Sequence, residues 1–178
     1  MKPETTRLHG EFDDVVQRGH ALAARLDDHA LMRRPAPASW SVAENLEHLS
    51  ATAATFARRI RRRLDASTMS ETPSKEKSSI VGRIWLGLVE PPARIRLKVP
   101  AAALQPGEIT TRDALLARFG ETHGTLIALL DESDAYDRMR LRIPSAFAKR
   151  ITVTLYDGFV VLAAHGRRHL WQAERAVR

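Results

Sequence analysis

The chain contains no cysteine among its 178 residues, which excludes disulfide bonds, thiolate metal ligands and a cysteine nucleophile. It also has no apolar run near the ~18 residues that a membrane helix requires. Its first residues, MKPETTRLHGEFDD, lack the apolar stretch of a signal peptide. There is no glycine-rich phosphate loop and no internal repeat. From these absences we expect a cytoplasmic protein that does not contact a membrane.

The composition favours one folded domain over residues 1–178. Apolar residues make up 44% and charged residues 28%, which suits a single core and argues against wholesale disorder. The net charge of +7 raises the question of nucleic-acid binding. However, the densest basic run, Arg58 to Arg63, has no interleaved aromatic residues for base stacking. We interpret it as a solvated helix end and do not expect a nucleic-acid partner.

Four segments carry apolar residues at helical spacing, over residues 4–28, 42–64, about 110–130 and 154–177. Each has one apolar stripe, and four helices of this kind bury their stripes most simply in a bundle. We therefore predict an all-α fold, a four-helix bundle with long crossover connections. The four stripes consist of Leu8, Phe12, Val15, Val16, Leu22 and Leu26; Val42, Leu46, Leu49, Ala53, Phe56, Ile60 and Leu64; Leu115, Leu116, Phe119, His123, Leu126, Ile127 and Leu130; and Leu155, Phe159, Leu162, Leu170 and Val177.

The connections between these segments are irregular. Residues 67–79 are polar and predict a mobile loop, whereas 80–90 favour a short helix stopped by two prolines. The alternating residues 94–100 indicate extended backbone. The run MRLRIPSAF, at 139–147, interrupts the helical pattern before the fourth helix. The long connections are expected to cross the bundle and cover one end.

Two helix starts have the pattern of a capping box. Ser41 and Glu44 form one such pair, and Thr154 with Asp157 forms the other. The box accounts for Glu44 structurally, and a catalytic role for this carboxylate is the alternative. Trp40 would need an apolar partner at Asn45 to form a hydrophobic staple, so we expect it to pack elsewhere, either in the core or over a cleft.

His165 and His169 are four residues apart in the fourth predicted helix, so they project from one face, one turn apart. This spacing lets two imidazoles bind one metal ion, but the intervening Gly-Arg-Arg supplies no glutamate base. His48 lies off the centre of the second stripe. We expect the pair and His48 to face one another across a groove, where Thr52 and Gly158 are small enough to leave room.

The remaining histidines are less informative. His123 lies in the middle of the third stripe, where a core histidine with one hydrogen bond is the ordinary interpretation and a pocket-lining role is the alternative. His9, His20 and His29 have no partner at the spacing of metal ligands.

Two motifs resemble one known family. WSVAENLEHL, at 40–49, matches its pattern Trp-Ser/Thr-x-x-Glu/Gln-x-x-x-His-Leu, and HGRRHLWQ, at 165–172, matches its His-x-x-x-His with arginine before the last histidine and glutamine three residues after it. Thr154-Leu155 matches the usual start of the fourth helix. The chain resembles the DinB-like metal-binding four-helix bundles over its whole length.

The resemblance implies that His48, His165 and His169 bind a divalent metal ion, which could be zinc, nickel, iron or manganese. Three neutral imidazoles would leave open positions for water. The metal could lower the pKa of bound water toward ~7 or bind a thiolate directly. A general base is not identified, although Glu44 and Glu47 are candidates.

Family members with known activity are mostly thiol-dependent, among them transferases and the mycothiol-dependent maleylpyruvate isomerase, and others are described as hydrolases. The resemblance therefore implies a metal-dependent thiol S-transferase or hydrolase that acts on a small molecule, with a low-molecular-weight thiol as a cosubstrate. We predict that Trp40, Asn45, His123 and Gln172 line the substrate pocket. Family members often dimerise, so a homodimer is also expected. The alternative function is a non-catalytic helical bundle that binds a metal or another ligand.

Overall fold

The computed structural model describes residues 1–92, 105–145 and 151–177, and it confirms the all-α fold class. The extended backbone predicted for 94–100 lies outside the described residues. Within the described part of the chain, no helix has the length and apolar character needed to cross a membrane. The helices are α1 (Pro3–Ala24), α2 (Asp28–Met32), α3 (Val42–Asp65), α4 (Ile80–Val89), α5 (Arg112–Glu132) and α6 (Leu155–Ala176).

The four long helices pack as a bundle. α3 packs against both α5 and α6, and α1 packs against the same two helices, so α1 and α3 lie diagonally opposite. The short helix α4 packs on the outside of α6, and α2 packs against α3. The pattern of four apolar stripes thus predicts the four bundle helices correctly, because each stripe needs a neighbouring helix to cover it.

Helix α1 ends at Ala24, before the predicted residue 28. The cause is a competing helix start, since the carboxylate of Asp27 accepts a hydrogen bond from the Ala30 N–H at 2.7 Å and begins α2. Of the predicted stripe residues, Leu26 is only partly buried beyond the end of α1, and Val16 is only partly buried at the edge of the stripe.

The other long helices begin where the capping residues predict. Ser41 Oγ accepts from the Glu44 N–H at 3.1 Å, and the Glu44 carboxylate accepts from the Ser41 N–H at 2.9 Å. This reciprocal pair confirms the capping box. Thr154 caps α6 by accepting from the Asp157 N–H at 3.0 Å. Thr111 caps α5 in the same way, through a backbone N–H three residues on.

The connection between α5 and α6 contains a 3-10 turn and two short strands that the sequence pattern did not predict. A 3-10 turn over Ser133–Ala135 follows α5, and strand β1 (Arg142–Pro144) pairs antiparallel with strand β2 (Thr152–Thr154). Strands of three residues are too short to show a period-two pattern in the sequence. Because β2 leads directly into α6, this small ribbon sets where α6 begins.

The residues 67–79 form no regular element, as predicted, but they are attached to the bundle at several points. The Ser70 N–H donates to the Ala135 carbonyl at 2.9 Å. The hydroxyl of Ser79 donates to the Asp157 carboxylate at 2.6 Å, which connects the starts of α4 and α6. These contacts hold the loop against the end of the bundle that carries the β-ribbon.

The interior of the bundle is divided by a layer of polar side chains, which we call the polar layer: His48, Thr52, His123, His165 and His169, all buried. One apolar cluster lies on each side of it. Towards the start of α6 the cluster includes Phe12, Phe56, Ile60, Leu126, Leu155 and Phe159, and towards its end the other includes Val15, Leu46, Leu115, Phe119, Leu170 and Ala173.

Candidate metal centre

The three histidines singled out by spacing lie together within the polar layer. His48 Nε2 is 3.2 Å from His165 Nε2, and the ring of His169 lies 4.4 Å from that of His48 and 4.5 Å from that of His165, measured between centroids. One ring nitrogen from each histidine lies within 4.8 Å of those of the other two. The sequence-based expectation that the three side chains meet is therefore confirmed.

The helices account for this convergence. His165 and His169 are separated by one turn of α6 and project from the same face. α3 packs along that face and supplies His48. On the other side of α6, Gly166 lets α1 come close, since a Cβ at this position would lie 2.8 Å from the side chain of Val15.

The orientation of His169 is set by Asn45. Asn45 Nδ2 donates to the Ser41 carbonyl at 2.8 Å, so the amide oxygen faces His169 Nδ1 at 2.9 Å. An amide oxygen only accepts hydrogen bonds, which means that Nδ1 of His169 carries the proton. The lone pair of His169 is consequently on Nε2, the nitrogen available to a metal ion.

Burial keeps the imidazoles of His165 and His169 neutral. It lowers the pKa of His165 and of His169 well below the usual range, and the neighbouring imidazoles and Arg168 lower both pKa values further. A neutral imidazole retains a lone pair on one ring nitrogen, which is the form that binds metal ions.

The geometry and the donor set fit a divalent transition metal. Two nitrogen ligands about 2.0–2.1 Å from one zinc ion lie roughly 3.3 Å apart at a tetrahedral angle, close to the 3.2 Å between His48 Nε2 and His165 Nε2. Among the described residues, the cluster that could hold a metal ion contains these imidazoles and no carboxylate. Three imidazoles would leave at least one coordination position open.

Trp40 lies at the edge of the site, half-buried. Its ring stacks on His169 at 5.7 Å and meets the ring of His48 at 4.8 Å. It therefore packs over two of the three imidazoles. Gln172, three residues beyond His169 on α6, is partly exposed. The predicted role of these residues, and of Asn45, in a substrate pocket stays a prediction.

The two glutamates considered as general bases contact other groups. Burial alone would raise the pKa of Glu44, but hydrogen bonds from Arg34 and from the Ser41 backbone outweigh it, and the pKa is lowered. Glu47 is buried, which raises its pKa, and it lies 3.3 Å from Arg118. Both carboxylates thus have structural partners away from the three histidines.

His123 is 4% exposed and lies outside the histidine cluster. Its Nδ1 is 2.8 Å from the Phe119 carbonyl, one turn earlier on α5. It also lines a small cavity that reaches His165. The side chain therefore combines the backbone hydrogen bond of a core histidine with a position near the candidate metal centre.

Of the two small residues predicted to leave room beside the histidines, Thr52 lies near them and Gly158 does not. Gly158 packs against Ile143 of β1. It precedes His165 by seven residues on α6, which corresponds to about 10 Å along the helix axis. It therefore makes no room next to the imidazoles. Thr52 does lie near His165, where it lines the same cavity as His123.

The arginines are engaged largely in structural contacts. Arg168, next to His169, is buried and donates to the Leu88 carbonyl at 2.9 Å, which attaches α4 to α6. Within the basic run of α3, Arg61 forms an ion pair with Glu132 of α5. The sequence does not indicate these contacts, because the partners lie 71 and 80 residues away along the chain.

Comparison with known proteins identifies the family. The model of the DinB superfamily matches residues 11–173, a range that includes all three clustered histidines. Comparison with curated proteins and with solved structures gave no significant match. Because the family match spans most of the chain, and the bundle and the histidine cluster agree with it, the chain belongs to the DinB superfamily.

Proposed function

We propose that this protein binds one divalent metal ion through His48, His165 and His169 and uses it in a reaction on a small molecule. The observation that carries the proposal is the convergence of three buried imidazoles, with Nε2 of His48 and of His165 only 3.2 Å apart. Grouping three such nitrogens in the interior costs free energy unless a cation or hydrogen-bond donor lies between them.

The residues around the cluster support a binding site. Asn45 holds His169 with its Nε2 lone pair available, as partners of metal-binding histidines generally do. Trp40 packs over His48 and His169 and shields them from solvent. Water exclusion of this kind strengthens electrostatic interactions in the site.

The reaction class that fits this site is either thiol S-transfer or hydrolysis. A divalent metal held by three imidazoles supplies a Lewis acid with an open position that stabilises an anion, either thiolate or hydroxide. A low-molecular-weight thiol is the proposed cosubstrate. We propose that Trp40 and Gln172 contact the substrate, since both are partly accessible beside the cluster. The general base is not assigned, and the contacts of Glu44 give it a structural role.

The first experiment measures metal content. Wild-type protein purified under metal-replete conditions should contain about one divalent ion per chain, and a chelator should remove it. His165→Ala should contain none, because two imidazoles alone bind much more weakly. The matched control is His29→Ala, at an exposed position on α2, which should keep the metal. Wild-type protein without stoichiometric metal would overturn the proposal.

The second experiment separates the reaction classes. A thiol cosubstrate that uses the open position should change the visible absorption of the cobalt-loaded protein, and His165→Ala should show no change. If thiols leave the spectrum unchanged while ester or amide substrates are cleaved in a metal-dependent way, hydrolysis is the function. Glu44→Gln serves as a further variant and should retain the activity, since its bonds to Arg34 and Ser41 are structural.

The alternative is a non-catalytic bundle that binds a metal or another ligand. Metal binding without turnover of thiol or hydrolytic substrates would favour it. The cytoplasmic location, the homodimer and the single domain over residues 1–178, all expected from the sequence, stay predictions. Size-exclusion chromatography with light scattering tests the homodimer.

A further inference from the structure

The hydroxyl of Thr52 has no hydrogen-bond partner among the described residues, although the side chain is 1% exposed. A threonine or serine inside a helix often donates to the carbonyl four residues earlier. Ser50, on the same helix, does so to Leu46 at 2.9 Å. Thr52 does not, and a buried hydroxyl without a partner is unusual enough in proteins to require an explanation.

A small cavity lies beside this hydroxyl. Its volume is about 10 Å³, which is roughly the space that one water molecule needs. Its polar lining consists of Thr52, His123 and His165, and the rest of the lining is apolar. Of the three clustered histidines, His165 borders this cavity, and His48 and His169 do not.

His123 supplies a second polar group to the cavity. Its Nδ1 lies 2.8 Å from the Phe119 carbonyl, and a carbonyl oxygen can only accept, so Nδ1 carries the proton. Nε2 of His123 is consequently a hydrogen-bond acceptor. An unpaired hydroxyl and a ring nitrogen acceptor around a space of this size form a polar site that suits a water with two or more partners.

We propose that Thr52 and His123 bind one buried water molecule in contact with His165, and that this water holds the His165 imidazole in its orientation toward His48. Thr52 and His123 would then be positioning residues for the metal ligand His165. This second part rests on the proposed metal-binding function. Loss of a group that orients a metal-binding histidine typically weakens metal binding by 10- to 100-fold.

The water is tested in the metal-free protein. A high-resolution crystal structure should show it within about 3.2 Å of Thr52 Oγ1 and of His123 Nε2. Thr52→Val, which replaces the hydroxyl by a methyl group, should lose the water and unfold at a lower temperature, whereas Thr52→Ser should keep the water. A dry cavity in the wild-type protein would overturn the proposal, and so would a higher melting temperature of Thr52→Val, since removing a hydroxyl that holds a water should not stabilise the fold.

The positioning role is tested through the affinity for zinc, measured by competition with a chromophoric chelator. Thr52→Val should bind zinc about 10- to 100-fold more weakly, and Thr52→Ser should bind like the wild type. Equal affinities of Thr52→Val and the wild type would overturn the positioning role. If the wild type binds no metal, the proposed function and the positioning role both fail, while the crystal structure and the melting temperatures still decide whether the water is bound.

Discussion

Arg138 and the clustered histidines are both buried, but their surroundings differ. The side chain of Arg138 is fully buried, and its donors are paired: with the Glu76 carboxylate at 2.7 and 2.8 Å, with Thr5 Oγ1 at 2.7 Å and with Ser133 Oγ at 3.3 Å. Asp134 lies 3.2 Å away. We call these five residues the Arg138 network. It connects the start of α1, the loop before α4 and the end of α5.

The histidine cluster has the opposite character. Burial lowers the pKa of His165 and of His169, which keeps these two imidazoles neutral, and one ring nitrogen of each of the three histidines lies within 4.8 Å of those of the other two. In the Arg138 network each charge meets an opposite charge, so the network is complete as a structural unit. In the histidine cluster three ring nitrogens, one from each imidazole, lie within 4.8 Å of one another, which is an arrangement that a cation would complete. The comparison shows that the partners of a buried polar group, more than its burial, indicate whether it serves structure or binding.

The largest effect is expected from breaking the Arg138 network. Arg138→Met should lower the free energy of unfolding by about 3–5 kcal/mol, because it leaves Glu76 and Asp134 without the cation that compensates them. Urea unfolding of the metal-free protein measures this. The zinc affinity of the folded variant should stay within about threefold of the wild type, since the network does not contact the histidines.

The control for this variant is Arg140→Met, because the side chain of Arg140 is 83% exposed and its buried partner Asp137 also accepts hydrogen bonds from Ser74 and Met139. It should change the free energy of unfolding by about 0.5 kcal/mol or less. If Arg138→Met were as mild as Arg140→Met, the network would not have the structural role that distinguishes it from the histidine cluster.

A smaller effect concerns the pH dependence of stability. Burial lowers the pKa of His123 to about 4, from an ordinary value of 6.5. Between these values the unfolded chain binds a proton that the folded protein does not. The free energy of unfolding therefore falls as the pH decreases from about 6.5 to about 4, and His123 contributes on the order of 3 kcal/mol to this loss.

His123→Leu removes this titration while keeping an apolar side chain of similar size. The metal-free variant should lose less free energy of unfolding between pH 6.5 and pH 4 than the wild type, as measured by urea unfolding at several pH values. His29→Leu, at an exposed position, is the matched control and should follow the wild-type curve. Identical pH profiles of His123→Leu and the wild type would contradict the prediction.

The smallest expected effect lies within the histidine cluster itself. Asn45→Leu removes the oxygen that accepts from His169 Nδ1, and zinc affinity should fall by about 10- to 100-fold. Ser50→Ala is the control, since Ser50 is also buried on α3 but bonds to the Leu46 carbonyl. It should bind zinc like the wild type. An unchanged affinity of Asn45→Leu would show that Asn45 does not orient a metal ligand.

Much of the fold was predictable because it depends on local patterns. The apolar stripes predict the bundle helices, and capping residues such as Ser41 and Thr154 predict their starts. The end of α1 was predicted four residues too late, because Asp27 begins a new helix that no periodicity shows. The β-ribbon was missed for a similar reason, since strands of three residues have no detectable period.

The candidate site was predictable to the extent that it follows helical spacing. His165 and His169 are one turn apart on α6, His48 lies off the centre of the α3 stripe, and the family resemblance groups the three as metal ligands. Asn45 and Thr52 are near His48 by helical spacing, yet nothing in the sequence shows that Asn45 bonds to His169 or that Thr52 faces a cavity. Those facts depend on how α3, α5 and α6 pack together.

By itself, the sequence determined which segments form the four long helices, where most of these helices begin and which histidines share a face, because these properties arise from neighbours three or four residues apart. Only the tertiary structure decided which buried polar groups meet. Glu76 is 62 residues from Arg138, and Asn45 is 124 residues from His169. Contacts over such distances are set by the packing of whole helices, which buries one polar group beside another and requires each to find a partner.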